Sequence, residues 1–201
     1  MIFPLRLQLT CHRMSGVSGE EEIMSTPGPA MPVKPVVSLL LAQEDLGPAL
    51  VERLAGYFGP PDLVGPWWPF DATGYYSSEM GPSLGRRLVS FLHLADPARL
   101  ADWKVFTNKL EQAFSLGERR PANLDPGYLA RERLVLATGK NFPHRIYLDH
   151  GIYADLTLIY GRQCGFQPLP WSYPDYAQGE LPALLELVRQ KYLWQLKALA
   201  D

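Results

Sequence analysis

Between Pro121 and Tyr176, charged and polar side chains stand among residues that favour strands: Lys140, His144, Arg145 and Asp155 interleave with Leu, Val, Ile and Tyr. A charge buried in a sheet without a partner costs several kcal/mol, so such residues either face water or line a site. Their types suggest one chemistry. Lys140 and Arg145 hold an anion, while Asp125 or Asp155 orients or deprotonates what is bound. His144 is a third candidate for proton transfer, although strand alternation points it to the apolar side, where a backbone-bonded histidine is the plainer reading. Tyr147 and Tyr153 would flank the anion, with Asn123 and Asn108 as hydrogen-bonding groups and Asp71 and Tyr75 on a loop closing over it.

Other chemistries are excluded by spacing. Gly139-Lys140-Asn141 superficially resembles the end of a phosphate loop, but Leu134 stands where the first glycine belongs and Asn141 replaces the hydroxyl. Asp149, His150 and Asp155 fit no recognised metal-ligand spacing, so no metal is expected. No nucleophile elbow or Cys/His pattern appears, and no residue names a cofactor.

The register of residues 144–160 decides whether these groups meet. A three-residue loop, Asp149-His150-Gly151, puts glycine where a left-handed conformation is wanted. His144, Ile146, Leu148, Ile152, Ala154, Leu156 and Leu158 then share one face. Arg145, Tyr147, Tyr153, Asp155 and Thr157 share the other, with Arg145 opposite Asp155. As an exposed cross-strand pair, Arg145–Asp155 is worth at most about 1 kcal/mol; as the floor of a pocket it holds a ligand.

Positioning falls to a modest set of elements. The apolar run 36–42 reads as a strand covered on both faces. Leu46, Leu50, Leu54 and Phe58 form a helical stripe stopped by Gly59. Residues 62–70 are a weaker extended piece and 86–94 an alternating strand. Asp96-Pro97 caps a second helix that ends near Gly117. Asn123-Leu124-Asp125-Pro126-Gly127-Tyr128 reads as a turn. Strands follow at 134–138, 144–148 and 152–160, then a helix over 181–199. The order β-α-β-β-α-β-β-β-α predicts an α+β fold, its sheet mixed or mostly antiparallel, with helices packed on one side. A ferredoxin-like core with an added hairpin and C-terminal helix is the specific expectation.

Residues 1–33, rich in Gly, Ser, Pro and Glu, are expected to be a disordered tail, with Met24 as an alternative start; residues 34–201 form one domain. With 47% apolar and 20% charged residues the chain is globular. A net charge of −2 argues against a nucleic-acid coat or a membrane-surface protein. Two cysteines make no disulfide framework, which fits the cytoplasm. No apolar run reaches the ~18 residues of a membrane span.

Several strings together resemble the prokaryotic family called domain of unknown function 4416: Pro69-Phe70-Asp71, Phe106-Thr107-Asn108-Lys109, Asn123 to Tyr128, His144 to Leu148, Gly151 to Leu158, and Pro168-Leu169-Pro170-Trp171 with Tyr173-Pro174-Asp175-Tyr176. The resemblance covers residues 34–197 and implies a single-domain cytoplasmic protein. Some members carry a GTP-binding label, for which this chain supplies no phosphate loop.

Two functions are weighed. The first is binding of a small anionic or nucleotide-like ligand in a polar-aromatic pocket, with turnover of that ligand left open. The alternative is a non-catalytic module that docks a protein or a second copy through its Trp67-Trp68 and Trp171–Tyr173 segments.

Overall fold

The computed structural model describes residues 27–70, 80–81, 83–115, 120–177 and 179–200. These form nine strands: β1 Lys34–Leu41, β2 Pro61–Val64, β3 Trp68–Phe70, β4 Leu84–Phe91, β5 Ala122–Leu129, β6 Arg133–Thr138, β7 Arg145–Asp149, β8 Ile152–Gly161 and β9 Gly165–Pro168. The helices are α1 Gly47–Phe58, α2 Leu100–Phe114, α3 Pro174–Ala177 and α4 Leu181–Ala200. One sheet runs β2-β4-β1-β5-β6-β8-β7, with β3 also on β4 and β9 also on β8. Every pairing is antiparallel, so the fold is α+β as expected.

All eight residues of β1 are buried, because both sheet faces are covered. Val37, Leu39 and Leu41 meet Leu50, Leu54 and Phe58 of α1 and Leu100, Trp103 and Leu110 of α2. On the opposite face Val36, Leu88, Leu129, Leu136 and Leu158 meet Leu181, Leu185, Val188, Tyr192 and Leu196 of α4. Helices on a single side were expected. The last helix lies instead on the second face, where Val36 of β1 and Leu88 of β4, with Leu129, Leu136 and Leu158, form an apolar surface that also needs cover. The Asp96 side chain accepts from the Ala98 N–H at 2.9 Å ahead of α2, as its cap position requires.

Four local expectations change. Asn123–Tyr128 is not a turn: it is most of β5, paired to β1 along its whole length. Asp-Pro-Gly promotes turns locally, but an eight-residue ladder outweighs that preference. Residues 62–70 split into β2 and β3 around Gly65-Pro66, and both lie on the outer edge of β4, where proline is tolerated.

The hairpin loop is shorter than predicted. It turns on His150 and Gly151 alone, with φ of 53° and 74°, and the extra residue is a bulge at Leu148. Arg145 still faces Asp155 and Tyr147 faces Tyr153. The bulge moves Asp149 opposite Ile152, onto the other face. A second bulge, at Thr157, separates Leu156, which packs toward α2, from Leu158, which packs toward α4. The proposed single apolar face of the hairpin is therefore wrong. Ile146 and Leu148 are exposed, because β7 ends the sheet.

Candidate functional site

β5 and β6 pair only over Gly127–Leu129 and then part. The cause is legible in the backbone. The Leu124 N–H donates to Glu111 Oε1 at 2.7 Å, so it points away from β1 toward the side where β6 lies. Pro126, two residues on, has the same orientation and no N–H to offer. The ladder stops at Gly127, whose added Cβ would sit 2.4 Å from the Val135 carbonyl oxygen. Beyond it opens a cleft of about 230 Å³.

Where β6 has moved away, α2 supplies the missing partners. Lys104 Nζ donates to the Leu124 carbonyl at 2.7 Å, beside the Glu111 carboxylate that takes the Leu124 N–H. Glu111 Oε2 also accepts from Arg120 at 2.6 Å. Lys104 Nζ lies 3.6 Å from Glu111 and 3.5 Å from Asp125 Oδ1. The other oxygen of Asp125 accepts from Asn123 Nδ2 at 2.7 Å. Asp125 is thus held by an amide and set beside a cation, with a quarter of its side chain open to the cleft. Asn108 lines the same wall, one turn along α2 from Lys104.

A second wall comes from β4 and α3. The buried Arg86 guanidinium lies against the rings of Phe70, at 4.7 Å, and Tyr176, at 5.3 Å. It donates to Ser38 Oγ at 2.9 Å, and its Nε is 3.0 Å from Asp175. Burial raises the Asp175 carboxyl above its ordinary value despite Arg86, and burial raises the Tyr176 phenol strongly.

The hairpin forms the third wall. Arg145 Nε donates to Asp155 Oδ2 at 2.7 Å, and its NH1 donates to the Lys140 carbonyl at 2.9 Å. These contacts tie the loop after β6 to the hairpin, and Lys140, Arg145 and Asp155 all line the cleft.

Of the predicted residues, the structure gathers Asn108, Asp125, Lys140, Arg145 and Asp155 in this cleft. It leaves three others out. Tyr147 and Tyr153 pack edge to face on each other, with centroids 5.4 Å apart, further along the hairpin. His144 precedes β7, stacks on Trp171 at 4.9 Å and sits 3.7 Å from Asp155 Oδ2, so it is not on the apolar side. Asp71, Tyr75, the loop around them and Gly117 lie outside the described residues. Sequence reasoning missed Arg86, Lys104 and Arg120. Arg86 carried a signal: it shares a strand face with Leu88 and Ser90, an odd place for a cation. Lys104 and Arg120 carried none, because only β5 makes them converge. Among the described residues no three His, Cys, Asp or Glu side chains are grouped to hold a metal. No helix among them is long and apolar enough to cross a membrane.

A family model described as Domain of unknown function (DUF4416) matches residues 31–192, and the chain belongs to that family. No curated protein and no solved structure matches it.

Proposed function

For a chain of this family, we propose that the cleft between β5 and β6 binds a small anionic, nucleotide-like ligand. The observation that carries the reading is one of charge. Arg86, Lys104, Arg120, Lys140 and Arg145 converge on the cleft, whose lining among the described residues has Asp125 and Asp155 as its carboxylates, with Glu111 behind Lys104 and Arg120 and Asp175 behind Arg86. A cleft with low-dielectric walls focuses such a field on whatever enters it. At about 230 Å³ the space is below the ~300 Å³ at which pockets for drug-sized ligands begin, which favours a compact ligand.

Asp155 is occupied by Arg145, so its part is to aim the guanidinium. Asp125 keeps an oxygen toward the cleft and is the better candidate to orient or deprotonate a bound group. Exposed Tyr173 and buried Phe70 offer aromatic surface for a ring. The reading is of a cytoplasmic protein. It takes the first half of the chain as ferredoxin-like, on the strength of the order β2-β4-β1-β5 with α1 and α2 on one face. A docking module has less support, because Trp67 and Trp68 are half-buried against the two cores and, of the two segments, only Trp171–Tyr173 is exposed.

Thermal unfolding with inorganic pyrophosphate, AMP and GMP tests the proposal. At a hundredfold excess over Kd, binding stabilises by about 2.7 kcal/mol. That raises Tm by about 5–10 °C for a domain of this size. Lys140→Ala should remove most of the rise. No shift with any anion would sink the reading.

A further inference from the structure

We propose that the cleft reads hydroxyl groups at one end and a phosphate at the other, so that its ligand is a phosphorylated polyhydroxy compound. The inference rests on the anion-binding reading above and adds the chemistry of the far wall. Directly paired residues place Arg145, Asp155, Leu136 and Gly127 in one row across β7, β8, β6 and β5. Three strand spacings separate the ends of that row, on the order of 14 Å between backbones. Asp125 lies two residues from Gly127 on the same face, so the acid and the Lys140–Arg145 pair occupy opposite walls.

The two walls offer different chemistry. At the hairpin end Lys140 and Arg145, the latter aimed by Asp155, are cationic donors suited to phosphate oxygens, whereas beside β5 Lys104 donates to the Leu124 carbonyl and Arg120 to Glu111. At the β5 end Asp125 Oδ2 is filled by Asn123, while Oδ1 is 3.5 Å from Lys104, beyond a good hydrogen bond. That oxygen has acceptor capacity left for a ligand hydroxyl. Among the described residues no hydrogen bond uses the Asn108 carboxamide, which supplies one further acceptor and two donors on the same wall. A carboxylate and an amide side by side suit groups that both donate and accept, as sugar hydroxyls do. An inorganic anion carries charge of the same sign as Asp125 and is repelled by it, whereas a neutral sugar hydroxyl is not.

Calorimetric titration of the full chain with ribose 5-phosphate, ribose and inorganic phosphate separates the outcomes. Ribose 5-phosphate should bind at least tenfold more tightly than phosphate or ribose alone. Asp125→Asn and Asn108→Ala should each cancel most of that advantage while leaving phosphate affinity within about twofold. Lys140→Ala should weaken phosphate and ribose 5-phosphate alike. Equal affinity for phosphate and ribose 5-phosphate overturns the hydroxyl-reading end and leaves the anion site standing. Binding of none of the three overturns both.

Discussion

Glu111 shows how much a single side chain does beside the cleft. It is 4% exposed, accepts the Leu124 N–H and an Arg120 N–H, and neighbours Lys104. Removing one charge from a buried cluster leaves the others unbalanced, which costs about 3 kcal/mol or more. Glu111→Gln should therefore lower unfolding stability by about 3 kcal/mol in urea titrations. By contrast Asp102 meets His150 at 3.8 Å with both side chains more than half exposed. Asp102→Asn should cost no more than about 1 kcal/mol in the same assay, because water screens the pair.

At the scale of elements, the parting of β5 from β6 makes the cleft, and Gly127 marks where it begins. A methyl group there would meet the Val135 carbonyl at 2.4 Å and Leu136 Cδ2 at 2.6 Å, both in the next strand. Gly127→Ala should cost about 1–3 kcal/mol by overpacking. It should also speed amide exchange at Tyr128 and Leu129; an unchanged exchange pattern would refute the close approach. The hairpin opposite is an edge, and its Leu148 bulge with flanking Arg145 and Asp149 disfavours pairing with another chain.

For the molecule as a whole, buried ionisable groups bound the pH range of stability. Asp62 joins β2 to β1 through Lys34 and to α4 through Lys191, and accepts from Ser90. Burial alone would raise its carboxyl, but hydrogen bonds from Lys34, Ser90 and Lys191 hold it below 3.8. Its contribution is present above that value and is lost as pH falls below it. Tyr176 is shifted up from 10.0 by burial, so its contribution is full below pH 10.0 and is lost as pH rises further. Asp175, shifted up by burial, acts against Asp62 in acid. Stability measured against pH should form a plateau with two falling limbs. Asp62→Asn should flatten the acid limb and Tyr176→Phe the alkaline one; parallel curves for wild type and variants would contradict these assignments.

Much of this was written in local pattern. Hydrophobic periodicity placed α1, α2 and α4, a continuous apolar run placed β1, alternation placed β4, and the register of the hairpin put Arg145 across from Asp155. Those features depend on neighbours a few residues apart, which a linear reading can see. Two others were decided only in three dimensions. Asp125-Pro126-Gly127 has the composition of a turn, yet it lies in a strand because β1 offers a full ladder on one side. The same proline denies a ladder on the other side. The cleft, and the meeting there of Lys104, Arg86 and Arg120 with the hairpin, follows from that asymmetry. It arises from partners far apart along the chain, and no spacing within a segment encodes it.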